Sequence, residues 1–307
     1  MRPSHEYFGH PRVSVVTTFL NAEAFLTEAI ESVLAQTFND WEFLLVDDGS
    51  TDASTTIAEG YAAQYPEKIR YLDHPQHSNR GMAPSRNLGI SNARGKYIAF
   101  IDADDVWLPS KLAEQVAILD SHPAIGMVCG TVVCWASWST GKDTISPTGP
   151  TPGQDTVLLP PEAALALYPL GEAPAPYPSD VMIRTELVKA LGGFEEQFTN
   201  FYDDLSCFAK LYLVSAVYFS SKTWVKYRLH ENSSTALVTR AKALQVRQDL
   251  LEWFEGYLAA VPGRMDPRVI AALRRALRPS RYPRAHFVLM LPSRLKRIYR
   301  RLRGISS

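Results

Sequence analysis

Through the first 120 residues, continuous apolar runs alternate with stretches of helical spacing. Residues 13–18 (VSVVTT) form a mostly β-branched run, the pattern of a strand buried on both faces. Behind Asn21, a residue suited to capping a helix, Ala22, Phe25, Leu26, Ala29, Ile30, Val33 and Leu34 recur at helical spacing. Residues 41–46 predict a second apolar strand, stopped by the turn signal Asp47-Asp48-Gly49-Ser50. A helix over 51–65, a short strand over 69–72, a helix over 83–93 and a strand over 97–101 follow. Pro109 then opens a helix over 110–121, since proline suits a first helical turn. Repeated strand–helix–strand units of this size predict an α/β fold, a Rossmann-like and mostly parallel sheet flanked by helices.

Past residue 121 the pattern loosens. Residues 124–138 read as one more strand or a hairpin, and 139–161, rich in Gly, Pro, Thr and Ser, as a loop over the sheet. A second half is expected to hold a strand over 179–184, a helix over 185–191 and a turn at Gly192-Gly193. A helix over 203–215 and a strand over 217–227 complete it, before helices over 236–260 and 267–277.

In an open parallel sheet, ligands bind beyond the carboxyl ends of the strands. The residues expected there are Thr17 and Thr18, Asp47 and Asp48, then Asp102, Asp104 and Asp105. In extended backbone, Asp102 and Asp104 project to the same side. Neighbouring carboxylates raise each other's pKa unless a cation sits between them, and hard oxygen donors suit Mg2+ or Mn2+. The plainer use of such acids is to cap the helix beyond Pro109. A place at a strand end favours the cation site for Asp102 and Asp104 and leaves Asp105 as the cap. No GxGxxG follows the first strand and no GxxxxGK[ST] occurs, which argues against dinucleotide and P-loop enzymes. A phosphatase would want its DxD after the first strand, not the fourth.

The segments VSVVTTFLNAEAFLTEAIESVLAQTFNDWEFLLVDDGSTD and APSRNLGISNARGKYIAFIDADDVWLP together resemble the family 2 glycosyltransferases of GT-A fold. The match is dense over residues 12–120. It continues in GGFEEQFTNFYDDLSCFAK and YRLHENSS, and gives out beyond about residue 240. The resemblance implies a glycosyltransferase domain over 1–235, with a nucleotide-sugar half over 12–120 and an acceptor-side half over 121–235. A helical region with a basic tail, 236–307, follows.

The same resemblance implies residue roles. Thr17, Thr18 and Phe19 line the nucleotide pocket, Asp48 receives the N–H of a base, usually uracil, and Arg86 reaches base or phosphates, with Gly81 allowing close approach. Asp102, with Ala103 beside it, contacts ribose or metal, and Asp104 binds Mn2+ or Mg2+ bridging the diphosphate. Leu20 stands where relatives often carry an aromatic, so stacking on the base falls to Phe19. His230, in Tyr227-Arg228-Leu229-His230, approaches the metal or diphosphate, the alternative being a structural histidine. Trp107 and Tyr202 are expected toward the acceptor, although a Trp at a helix start is more often packed.

The chemistry implied is transfer of a sugar from a nucleoside diphosphate, a UDP-sugar favoured, to a sugar or lipid-linked acceptor hydroxyl, in polysaccharide or glycolipid synthesis. An oxocarbenium-like centre attacked on the opposite face inverts the anomeric configuration and needs a general base. Adjacent helical positions diverge by about 100°, so Asp203 and Asp204 should do different jobs. Asp203 is expected opposite the apolar face, near an N-cap role, and Asp204 as the base, with Asp203 the alternative. The plain reading is that both favour a helix N-terminus. A catalytically silent binding or scaffolding subunit would be marked by loss of Asp104 or of the base, and both are present. A nucleotidyltransferase would want a Gly-rich basic loop after the first strand, where Phe19-Leu20-Asn21-Ala22-Glu23 stands.

Composition sharpens the picture at one point. Hydrophobic residues at 46% and charged residues at 21% exclude global disorder. No run approaches the ~18 apolar residues of a membrane span. Residues 1–11 carry Arg2, His5, His10 and two prolines and predict no secretory signal. Three cysteines without a CxxC fit a reduced, cytoplasmic protein. The net charge of zero, however, conceals thirteen Lys/Arg against one acid, Asp266, over 264–307. This tail predicts peripheral attachment to an anionic membrane face, with a solvated tail as the alternative. Nucleic acid is not expected, because aromatic interleaving is missing.

Overall fold

The computed structural model describes residues 10–146, 148–149, 155–198, 203–231, 233, 236–261 and 266–281. The first apolar run is strand β1 (Val13–Phe19). It leads through α1 (Leu26–Leu34), β2 (Trp41–Asp47), α2 (Ser54–Gln64), β3 (Ile69–Asp73) and α3 (Met82–Asn92) to β4 (Tyr97–Phe100). β3, β2, β1 and β4 lie in that order, all parallel, so their carboxyl ends share one edge. β2 is buried at every position because helices cover both of its faces. On one face Val13, Val15 and Phe19 meet Leu26, Ala29, Ile30 and Val33 of α1; on the other Val16, Leu44 and Val46 meet Ala83 and Ile90 of α3.

Beyond β4 the sheet turns mixed. β5 (Val106–Trp107), α4 (Lys111–Ser121), β6 (Ile125–Trp135), β7 (Thr144–Ser146), β8 (Thr156–Leu158) and α5 (Glu162–Ala166) precede β9 (Met182–Arg184). Then come α6 (Thr185–Ala190), α7 (Asp203–Tyr212), β10 (Ala216–Arg228), α8 (Arg240–Ala260) and α9 (Pro267–Arg281). β9 joins the halves, antiparallel to both β4 and β6, and β10 runs parallel to β6. β5 pairs antiparallel with the end of β10, which sews the acid-rich segment after β4 to the second half. The expected mostly parallel sheet is present, its parallel pairs being those of the first four strands and β6–β10. The expected strand over 179–184 divides into a 3-10 turn, Pro178–Asp180, and β9. α8 and α9 pack on α7 through Leu251, Phe254, Leu258, Val269, Leu273 and Leu277 against Ala209.

Asn21 does not cap α1. It sits at φ 51°, and its Oδ1 accepts from the Thr51 amide at 2.7 Å, so it fastens two strand-end loops together while α1 starts at Leu26. Four residues, 22–25, separate it from the helix, in a turn whose Phe25 and Leu26 amides donate to the Ala22 carbonyl.

Candidate active site at the carboxyl ends of the strands

The site is assembled from four strand ends and two helices. At the end of β1, Thr18 is partly exposed, whereas Thr17 and Phe19 point into the interior. Alternation along the strand is the reason: Phe19 belongs to the core under α1, and Thr17 Oγ1 is buried with no hydrogen-bond partner among the described residues. Of the three expected at the nucleotide pocket, only Thr18 presents a partly exposed side chain. Ala103 likewise packs in the core. Asp48 is also turned inward. Its carboxylate accepts from the amides of Arg80 (2.7 Å) and Gly81 (2.9 Å) and from Ser85 Oγ (3.0 Å), the hydroxyl that also contacts His74 Nε2 at 2.8 Å. Here Asp48 shapes the loop before α3, a loop that Gly81 enters at φ 95°, and its oxygens are already engaged.

The centre of the site is a buried guanidinium. Arg86 of α3, 2% exposed, donates from Nη1 to Asp203 Oδ2 at 2.5 Å and from Nη2 to Asp102 Oδ1 at 2.8 Å. Its Cζ lies over the Phe194 ring, 5.3 Å from the centroid. Burial alone would lower its pKa, but the charges of Asp203, Asp102 and Asp204 outweigh that and raise it. Arg86 is thus a bridge between the nucleotide half and α7, not a group open to phosphates as the resemblance implied. Asp203 is buried against it, which reverses the expectation of an outward, capping Asp203. Asp204 is left as the partly buried carboxylate. Burial and the charge of Asp203 push its pKa up to about 7, with Arg86 opposing.

Beside this centre stands Asp104, whose Oδ2 lies 2.9 Å from His230 Nε2. Burial and the neighbouring Asp102 raise its pKa. A carboxylate so disfavoured as an anion, partly open and faced by an imidazole nitrogen, suits a divalent cation whose remaining ligands are phosphate oxygens and water. Among the described residues no three His, Cys, Asp or Glu side chains already form a ligand cluster. The protein's share of such a shell would be Asp104 and His230, with Asp102 adjacent.

Asp105 is no helix cap. It is fully buried, accepting from Ser179 Oγ and from the Arg228 amide at 2.9 Å, and α4 begins behind Ser110 without a side-chain cap. Trp107 is 2% exposed and donates Nε1–H to the Ser179 carbonyl at 2.8 Å, so it supports the loop from below and offers no face to an acceptor. Tyr202 lies outside the described residues. Two participants went unread in the sequence. Ser179 accepts from the Asp102 amide at 3.0 Å while donating to Asp105, and nothing in the expected strand over 179–184 marked it. Arg228 sits within the Tyr227–His230 motif, where only the histidine drew notice.

The glycosyl transferase family 2 model matches residues 14–192. The putative glycosyltransferase EpsE of Bacillus subtilis is 38% identical over 143 residues, 47% of this chain and 51% of EpsE, so the match spans about half that relative's length. In structure the chain is similar to S. aureus TarS residues 1–349 in complex with UDP-GlcNAc, with a TM-score of 0.67 at 19% identity over 93% of this chain and 77% of that one. It is also similar to the mannosyltransferase PcManGT of Pyrobaculum calidifontis in complex with GDP-Man and Mn2+, with a TM-score of 0.57 at 18% identity over 97% and 81%. These neighbours share the fold, GT-A. With the family model covering more than half its length, this chain belongs to glycosyl transferase family 2.

Proposed function

We propose that the protein transfers a sugar from a nucleoside diphosphate donor, a UDP-sugar favoured, to an acceptor hydroxyl with inversion, assisted by a divalent cation. The observation that carries this reading is the Asp102–Arg86–Asp203 bridge, which ties the acidic strand ends to the helix bearing Asp204. The nucleotide sugars bound to TarS and to PcManGT, and the Mn2+ of the latter, support a donor of this class.

In this mechanism ionised Asp204 takes the proton of the acceptor hydroxyl as its oxygen bonds to the anomeric carbon. The carbon–oxygen bond to the diphosphate breaks on the opposite face, and the leaving group departs with the electron pair, which inverts the centre. A base with a pKa near 7 matches a neutral working pH, being half ionised and still basic enough to accept a proton. Arg86 fixes Asp203, and with it the first turn of α7, so Asp204 is held against rigid elements. Asp104 and His230 would hold the cation, and when bound it supplies positive charge for the departing diphosphate. The acceptor is proposed to be a sugar or a lipid-linked glycan, and the basic C-terminal region to rest on an anionic membrane face. No helix among the described residues is long and apolar enough to cross a membrane.

Calorimetric titration of UDP, GDP and dTDP, each with Mn2+ and with EDTA, tests the reading. Metal-dependent binding of one diphosphate is expected and would name the donors to screen for transfer. Binding of none would overturn it in favour of a silent scaffold.

A further inference from the structure

Arg228, the last residue of β10, carries a full charge yet is 3% exposed. Burying a guanidinium is costly unless its donors are used, and here they reach the loop after β4 and the helix α1. Nε donates to the main-chain oxygen of Asp104 at 2.7 Å, and Nη2 donates to Glu28 of α1. The Arg228 amide donates to Asp105 Oδ1 at 2.9 Å. Three rings enclose the guanidinium: Trp135 at 4.4 Å, Trp138 at 4.9 Å and Phe25 at 5.0 Å from their centroids. Phe25 also lies 4.8 Å from the ring of His230, the residue that contacts the Asp104 carboxylate. One side chain therefore grips the Asp104 backbone while its neighbour two positions on grips the Asp104 side chain.

We propose that Arg228 is a positioning residue that presets Asp104 to hold a divalent cation, with the Phe25–Trp135–Trp138 box and Glu28 holding the arginine in place. The inference rests on the assignment of Asp104 above. Lysine would keep the charge but lacks the planar fork that reaches the Asp104 carbonyl and Glu28 together.

The test is calorimetry of UDP and GDP into the full chain across a Mn2+ series, for wild type and Arg228→Lys. The Mn2+ concentration giving half-maximal nucleotide binding is expected to rise about tenfold, while affinity at saturating Mn2+ changes less than about threefold. A loss spread evenly over all Mn2+ concentrations, or an unchanged Mn2+ requirement in a folded variant, overturns the proposal. Should Arg228→Lys fail to fold, Glu28→Gln decides. It alters a half-exposed outer partner and should shift the Mn2+ requirement about threefold; no shift overturns the proposal. Wild-type nucleotide binding that is strong and indifferent to EDTA would instead remove the Asp104 assignment, and this inference with it.

Discussion

At the scale of single residues, the informative pair is Asp203 and Asp204. Both stand in the first turn of α7, where the helix end favours negative charge, yet one is neutralised by Arg86 and the other is not. Asp204, raised to about 7 chiefly by burial, binds its proton more tightly in the folded chain than in the unfolded one, where an aspartate titrates near ~3.9. Its ionisation therefore weakens the fold progressively between about pH 4 and 7, and the loss persists above. Asp204→Asn should then melt at least about 2 °C higher than wild type at pH 8, since ~1 kcal/mol moves the midpoint by about 2–4 °C, with no gain at pH 4. The same variant should keep donor binding and lose about 10²–10⁴-fold in transfer. The wild-type rate should climb with pH through about 7. Transfer surviving in Asp204→Asn would move the base to another carboxylate. The family resemblance made the pair visible, in the segment GGFEEQFTNFYDDLSCFAK. It could not show which member turns inward, because that is decided by Arg86, 117 residues away.

At the scale of elements, α3 does more than cover the sheet. One residue after Arg86, Asn87 clamps the backbone of Phe194: its Nδ2 donates to the Phe194 carbonyl and its Oδ1 accepts from the Phe194 amide, both at 2.9 Å. Lys210 of α7 reaches Glu195 at 2.7 Å, and the Ser206 hydroxyl accepts from the Glu195 amide at 3.2 Å, so the loop before α7 is held from both sides. The adjacent glycines allow the clamp to be weighed. Gly192 and Gly193 both have positive φ, 75° and 64°. A Cβ on Gly192 would meet nothing within 4 Å, while one on Gly193 would lie 2.4 Å from Asn87 Oδ1. Gly192→Ala should cost only the left-handed backbone penalty, ~1–2 kcal/mol, and Gly193→Ala that plus about 1–3 kcal/mol of overpacking. Urea unfolding of the two variants checks the difference; equal losses would mean that Asn87 gives way freely. Elements of this kind set the limit of what the chain reveals. β1, β2 and β4 are legible because each is a local apolar run bounded by turn residues. β5, β7 and β8, two or three residues long, carry no period of their own and exist only through β6 and β10. The antiparallel insertion of β9 is equally invisible, since direction in a sheet is fixed by distant partners.

At the scale of the whole molecule, charge is divided along the chain. Residues 264–307 hold thirteen basic side chains and one acid, and the remainder of the neutral chain carries the compensating acidity. The described part of this region shows how such charge can be used. α9 buries Val269, Leu273 and Leu277 against α8, leaving Arg274, Arg275 and Arg278 exposed. Its apolar stripe is already committed, so α9 can meet a membrane only through charge. Residues 282–307, which include the basic cluster from Arg294 to Arg303, lie outside the described residues and enter by their composition alone. A basic side chain near an anionic bilayer contributes ~1 kcal/mol, and the attraction fades within a Debye length of about 8–10 Å at physiological salt. The full chain should therefore float with vesicles containing phosphatidylglycerol at 50 mM salt, stay behind with purely zwitterionic vesicles, and be released at 0.5 M. A chain ending at Arg281 should retain the exposed arginines of α9 but lose seven of the thirteen basic side chains, and float several-fold less at the same low salt. Flotation that resists 0.5 M salt would mean that apolar residues such as Phe287–Leu291 insert. Equal flotation of the two chains would take the attachment away from the tail and leave α9 and the acidic body to account for it.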